Sequence, residues 1–320
     1  MLAKIDRPSV DIRKPYTEIG GKDAYSGRTY DEGFVEAFVG EHNLPCNTTT
    51  AFLTPAFRNI DRLLTTDLVL VGKPREVYVY TLELLGVVHQ NKLVAETLLT
   101  EILRFLLLIR HENEGRMQQL IANLKSAEDS LPLSSEQIVT LLQQHLNCKN
   151  SSRLPALIVD AAYLAVQNLV GETPRRLQSH TAADKQTGSL GDVEITLTND
   201  DSVITCYEMK DKRVTINDIN AAIRKVAALG AKIDNYIFIT TEAVGVEVAE
   251  YASYLYDQTG IEVVVLECVG FARHFLHFFH RYRLPFLDAY QDLVLKEPAS
   301  SVSQPLKEAF LILRKQAESN

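Results

Sequence analysis

Two short segments in the second half of the chain place acidic and basic residues at alternate positions. The segment GDVEITL carries Asp192 and Glu194, and the segment CYEMKDK carries Glu208 and Lys210. Successive residues of a β-strand point to opposite faces, so residues two apart share a face. The turn-forming sequence TNDDS lies between the segments and predicts a hairpin. We therefore expect these side chains to lie on one face of two paired strands.

Two carboxylates beside a lysine suit the hydrolysis of a phosphodiester bond with a divalent metal. This reaction needs an activated water, stabilisation of negative charge and help for the leaving oxygen, and one or two Mg²⁺ ions supply all three. Mg²⁺ prefers oxygen ligands and keeps several waters, so few protein ligands suffice. The predicted ligands are the catalytic acids Asp192 and Glu208, together with the backbone carbonyl of Met209. The predicted role of Lys210 is to orient the attacking water or to stabilise the developing charge.

The same charges are compatible with a structural role, because Asp, Glu and Lys often pair across the strands of an exposed hairpin. A short D…ExK pattern also occurs by chance. However, the segment ending in Lys210 is predicted to be a central strand, where acids on an inner face are costly without a role. Two neighbours have open roles. Glu194 is either a further metal ligand or a carboxylate that supports one, and Lys212 is a candidate phosphate contact.

The surrounding pattern predicts a mixed sheet flanked by helices. An apolar helix over 153–170 precedes the two strands, and a helix from Thr215 to Gly230 follows them. Two further short strands, NYIFITT and IEVVVLE, are separated by another helix. The residues before this core are mainly helical in pattern. The sequence therefore predicts a helical N-terminal region over 1–150 and a catalytic core with C-terminal helices over 151–320.

Composition limits the class of protein. The net charge of −8 and pI near 5.6 give no bulk argument for nucleic acid, although a local basic groove would suffice. No segment has about 18 uninterrupted apolar residues, and the N-terminus lacks a hydrophobic signal core, so no membrane association is expected. Four widely spaced cysteines argue against a disulfide framework or a zinc site and favour a reducing cytoplasm.

The strand pair and the order of elements resemble the PD-(D/E)xK nucleases over residues 153–267. The segments DIRKPYTEIGGKDAYSGRTYDE, HTAADKQTGSLGDVEI, YEMKDK and RHFLHFFHRYR together resemble the SacI-type family of type II restriction endonucleases. Asp192, Glu208 and Lys210 match the catalytic trio of that motif. One departure is Gly191, which stands where the motif has proline.

This resemblance implies an α/β restriction-endonuclease-like fold and Mg²⁺-dependent cleavage of double-stranded DNA at a short palindrome. It implies a homodimer whose two-fold axis matches the DNA site, with the helical N-terminal region serving recognition and dimerisation. It also implies a partner DNA methyltransferase that acts on the same site in a bacterial or archaeal cell.

Further site residues are predicted from position alone. A helix-borne acid adds a metal ligand in many nucleases of this fold, so Asp160 and Glu172 are candidate ligands. Polar or basic side chains of predicted loops are candidate DNA contacts: His180, Lys185, Gln186 and Arg28. Two other functions remain open. One is a repair or recombination nuclease of the same fold, and the other is a catalytically degenerate DNA-binding module.

Overall fold

The computed structural model describes most of the chain. The described residues are 1–46, 57, 60–70, 75–125, 131–175 and 189–319. The chain divides into two compact units, Met1–Arg116 and Met117–Asn320. The division thus falls at residue 116, whereas the sequence predicts a boundary near residue 150.

The regular elements described in the first unit are helical. Helices α1 to α5 are Leu2–Asp6, Gly27–Tyr30, Glu36–Glu41, Arg75–His89 and Ala95–Lys125. A short 3₁₀ turn covers Thr17–Ile19, and a π-helical turn covers Asp31–Val35. The buried apolar side chains form two small clusters, one around Leu82 and one around Val88.

The second unit contains a sheet and the remaining helices. Helices α6 to α12 are Ser135–Leu146, Leu154–Val170, Ile216–Leu229, Val246–Thr259, Cys268–Phe278, Arg283–Lys296 and Gln304–Ser319. A 3₁₀ turn at His280–Tyr282 joins α10 to α11. Among the described residues, no helix combines the length and the apolar character needed to cross a membrane.

Helix α6 explains why the second unit begins before residue 150. Leu141 and Leu142 of α6 are fully buried in the same core as Leu157 and Ile158 of α7. Burying a leucine or isoleucine side chain contributes about 1.5–3 kcal/mol, so a boundary between these helices would divide a shared core. The last helix of the predicted N-terminal region therefore packs with the catalytic core.

The sheet has five strands in the order β1-β2-β3-β4-β5. The strands are Glu172–Pro174, Val193–Leu197, Asp200–Lys210, Asn235–Thr240 and Glu262–Glu267. The first three strands are antiparallel to their neighbours, and β3, β4 and β5 run parallel. This confirms the predicted mixed sheet and the central position of β3.

Both faces of the sheet are covered by helices. Val193, Ile195 and Tyr207 point into the large core formed with α6, α7 and α10 to α12. Cys206 and Tyr236 point into the second core, formed with α8 and α9. This alternation follows from the period of two along each strand. It places the acids that alternate with the apolar residues of β2 and β3 on the α8–α9 face.

Helix α8 has the ends that the sequence predicts. The Thr215 hydroxyl accepts a hydrogen bond from the Asp218 N–H, and the Asp218 carboxylate accepts one from the Thr215 N–H. This reciprocal capping box satisfies two backbone donors at the start of the helix. Gly230 ends the helix in the left-handed conformation, with φ of 63°. The helix therefore begins five residues after β3, close to the predicted catalytic residues.

Candidate active site

Asp192 lies directly before β2 and is fixed against the end of β3. Its Oδ2 accepts a hydrogen bond from the Met209 N–H at 2.7 Å. Its own N–H donates to the Tyr207 carbonyl at 2.8 Å. A backbone donor in a buried strand requires an acceptor, and here a side-chain carboxylate supplies it. The position of Asp192 beside Glu208 and Lys210 therefore follows from the pairing of β2 with β3.

Glu208 and Lys210 form a half-buried ion pair at the end of β3. Lys210 Nζ donates to Glu208 Oε1 at 2.9 Å. Burial lowers the pKa of Lys210, but the hydrogen bond and charge of Glu208, with the charges of Asp218 and Asp192, outweigh it and raise the pKa. Lys210 is therefore cationic at neutral pH. It can donate hydrogen bonds and stabilise negative charge, but it cannot remove a proton from water.

Tyr236 on β4 holds the second oxygen of the Glu208 carboxylate. Its hydroxyl lies 3.3 Å from Glu208 Oε2 and 3.1 Å from the carbonyl oxygen of Leu190. The tyrosine is 1% exposed, and burial raises the pKa of its hydroxyl well above the ordinary value. The phenol therefore stays protonated and links Glu208 to the segment that leads into Asp192.

The oxygens at this strand end fit the predicted Mg²⁺ site. Asp192, Glu208 and the Met209 carbonyl are hard oxygen donors, which Mg²⁺ prefers. Each carboxylate oxygen that accepts one hydrogen bond keeps a second lone pair for a metal. In the described part of the chain, no three His, Cys, Asp or Glu residues are grouped so that they could hold a metal. A metal here would therefore keep several waters.

Glu194 shares the face predicted for it, but its carboxylate is bound by other protein groups. Oε1 accepts hydrogen bonds from the Leu190 N–H at 2.6 Å and from the Ser189 hydroxyl at 3.2 Å. Oε2 forms an ion pair with Arg175 at 3.2 Å. Glu194 therefore anchors the segment preceding Asp192, which corresponds to a supporting role rather than to that of a metal ligand.

The structure does not bring the two helix-associated acids to the trio. Asp160 is buried in α7, and the charged groups acting on it are Arg153 and Glu297. Burial raises the pKa of Asp160 to about 7. Glu172 begins β1 and pairs with Leu197, at the opposite end of β2 from Asp192. Neither acid has a described contact with the predicted metal ligands.

The predicted DNA contacts are spread over both units. Lys212 lies just beyond β3 with a 67% exposed side chain, and its Nζ is 4.0 Å from Asp218. Arg28, in the first unit, is exposed and forms an ion pair with Glu32. His180, Lys185 and Gln186 lie outside the described residues.

Gly191 departs from the proline of the motif for a steric reason. A Cβ atom at this position would lie 2.5 Å from Cys206 Sγ and 2.5 Å from the carbonyl oxygen of Tyr207. Proline and every other residue carry this atom, so none fits without a backbone shift. The close approach of Gly191 to β3 allows the adjacent Asp192 to reach the Met209 N–H.

Two groups of site residues were not predicted from the sequence. Tyr236 reads as one more aromatic residue of a buried strand, and only the pairing of β4 with β3 brings it to Glu208. Arg153, at the start of α7, lines a cavity of about 330 Å³ together with Asp192 and Lys210. Its position follows from packing between distant segments, which leaves no local signal in the sequence.

A mixed five-stranded sheet with helices on both faces, carrying an acid–acid–lysine trio at one strand end, is the arrangement of the restriction-endonuclease-like proteins. Residues 132–242 match the family model of the SacI restriction endonuclease C-terminal domain. This match confirms the predicted resemblance to the SacI-type restriction endonucleases, and the matched segment includes Asp192, Glu208 and Lys210. At the level of this domain it supports a type II restriction endonuclease, and such a domain implies binding to DNA. No curated protein matches the chain.

Proposed function

We propose that the protein is a type II restriction endonuclease that hydrolyses double-stranded DNA at a short specific sequence with Mg²⁺. One observation carries this proposal. Asp192, Glu208 and Lys210 come together at the end of β3, inside the segment that matches a restriction endonuclease domain. A surface hairpin would not need a buried tyrosine and a backbone N–H to hold its two acids in place.

The residues divide the chemistry between them. Asp192, Glu208 and the Met209 carbonyl would hold Mg²⁺, which when bound supplies a water of lowered pKa and neutralises charge on the phosphate. Lys210 provides a fixed positive charge for the oxygens that become more negative as water attacks phosphorus. Tyr236 keeps the Glu208 carboxylate oriented, so little reorganisation is needed when substrate binds.

The proposal includes a homodimer, because a palindromic DNA site is read by two related copies. Helix α5 of the first unit supports an interface. Its apolar side chains Ile102, Phe105, Leu108 and Ile109 are between 41% and 55% exposed. Contiguous apolar surface of this kind marks interaction sites on proteins. The partner methyltransferase and a bacterial or archaeal cytoplasm belong to the same proposal.

A cleavage assay tests the function directly. Purified protein is incubated with phage DNA in Mg²⁺ and, separately, in a chelator. We expect discrete fragments in Mg²⁺ and intact DNA in the chelator. A smear would instead indicate a non-specific or repair nuclease of this fold. Binding without cutting in Mg²⁺ would indicate a DNA-binding module and would overturn the proposed activity.

A further inference from the structure

A cavity of about 330 Å³ lies against the end of β3 that carries the trio. Three segments far apart in the sequence line it: the β2–β3 strand ends, the start of α7 and the loop between α11 and α12. The polar lining residues include Ser152, Arg153, Asp192, Lys210, Ser300 and Ser301. This volume lies at the lower end of the range of about 300–1,000 Å³ typical of small-ligand sites.

The two cations of this cavity are Arg153 and Lys210. Arg153 is only 4% exposed, and both its Nε and Nη2 donate to the Glu297 carboxylate at 3.3 Å. Burying a guanidinium is costly, and the paired hydrogen bonds to Glu297 offset that cost while they fix its orientation. The structure thus holds a fixed arginine beside the catalytic lysine.

The serines add neutral hydrogen-bond donors to the same space. Ser152 precedes Arg153 at the start of α7, and Ser300 and Ser301 come from the loop that precedes α12. A phosphodiester group has one negative charge shared by two non-bridging oxygens. Guanidinium, ammonium and hydroxyl groups are the donors that bind such oxygens in proteins.

The neighbouring cavity shows that this lining is selective. It has a volume of about 570 Å³ and shares Ser152 and Asp211 with the smaller cavity. Its charged lining residues among those described are Asp211, Glu242 and Glu267, with no lysine or arginine. Three carboxylates repel a phosphate, so the negatively charged group belongs in the smaller cavity.

We propose that the smaller cavity binds the scissile phosphodiester group, with Arg153 as a second cation beside Lys210 and the serine hydroxyls as further donors. This inference rests on the proposed nuclease function and names the residues that receive its substrate. Arg153 contacts the non-bridging oxygens and stabilises the charge that builds up on them when water attacks phosphorus. Glu297 acts as a positioning residue, because it orients the guanidinium.

The salt dependence of DNA binding tests the phosphate contact without cleavage. The variant Arg153→Gln removes the charge and keeps a hydrogen-bond donor for Glu297. Binding of a 20-base-pair duplex is measured in chelator at several salt concentrations. Loss of one phosphate contact reduces the slope of log affinity against log salt by about 0.9. The matched control is Arg314→Gln, because Arg314 is held by Asp288 and Glu318 away from the cavity and its loss should leave the slope unchanged.

Cleavage in Mg²⁺ gives the second measurement. We expect Arg153→Gln to lower the single-turnover rate by about 10²-fold, with an unfolding temperature close to that of the wild type. If Arg153→Gln does not fold, the double variant Ser300→Ala and Ser301→Ala carries the test, with an expected loss of about 10-fold. An unchanged slope and rate in the folded variant would overturn the cavity assignment. A reduced slope in a protein that never cuts DNA would retain the phosphate site and reject the nuclease function.

Discussion

The β2–β3 pair carries acids in two regions that the sequence pattern cannot tell apart. At the open end, Glu208 is held by Lys210 and Tyr236 beside a cavity with a second cation. Within the paired strands, Glu194 is held by a backbone N–H and by Arg175. The two glutamates share a face and a residue type. Their partners therefore decide which one is available for chemistry and which one holds a loop.

The largest expected effect comes from the cation at the open end. Lys210→Ala removes the positive charge next to Glu208, and we expect cleavage to fall by about 10³-fold or more while duplex binding is kept. Single-turnover cleavage and binding in chelator measure the two quantities. The control is Lys212→Ala, because Lys212 is exposed beyond the strand and should affect cleavage little. Cutting at the normal rate by Lys210→Ala would sink the assignment of this end as catalytic.

A smaller loss is expected from the phenol that orients Glu208. Tyr236→Phe removes one hydroxyl and keeps the ring in its core. We expect about a 10-fold lower maximal rate and a several-fold higher Mg²⁺ concentration at half-maximal rate, because Glu208 loses one of its two partners. Tyr163→Phe is the matched control, since the Tyr163 hydroxyl pairs with Tyr207 at 3.0 Å on the other face. Equal Mg²⁺ dependence in both variants would remove the positioning role.

The buried glutamate of the pair should act on stability more than on rate. Glu194→Gln weakens the contacts with Leu190 and Arg175, and we expect a loss of about 1–2 kcal/mol in unfolding free energy. Cleavage by the folded protein should stay within about three-fold of wild type. Chemical denaturation and single-turnover cleavage measure the two effects. A loss of activity as large as that of Lys210→Ala would place Glu194 among the metal ligands and erase the contrast between the two regions.

The alternation of charges predicted the trio because it depends only on neighbours along a strand. The capping box at Thr215 was predictable for the same reason. By contrast, Tyr236 reaches Glu208 from another strand, and Arg153 reaches the cavity from a helix some forty residues before Asp192. The unit boundary also escaped prediction, since the packing of α6 against α7 is a tertiary contact. The sequence therefore predicted the residues that carry the chemistry better than those that position them.

The smallest effect on cleavage is expected at Asp160, where pH alters stability instead. Burial raises the pKa of Asp160 to about 7, above its value of about 4 in the unfolded chain. The stability that its protonated form contributes is fully present below about pH 4 and is lost as the pH rises through 7. We therefore expect Asp160→Asn to stabilise the protein more at pH 8 than at pH 5. Thermal unfolding at both values measures this.

The control for that pH dependence is Asp201→Asn, because Asp201 is exposed on the sheet. Its difference from wild type should be the same at both pH values. If Asp160→Asn shows no more pH dependence than this control, the carboxyl is not buried as described. If it instead lowers affinity for Mg²⁺, Asp160 joins the acids of the open end after all.

The close approach of Gly191 to β3 has a consequence for mutational scanning. Every substitution adds an atom where Cys206 and Tyr207 already lie, so each would push Asp192 away from Met209. A saturation screen for restriction activity would therefore score position 191 as sensitive as the catalytic acids, although it has no side chain to contribute. Assaying the same library for retained fold would separate the two, because substitutions at Glu208 remove function from an intact strand whereas those at Gly191 distort it.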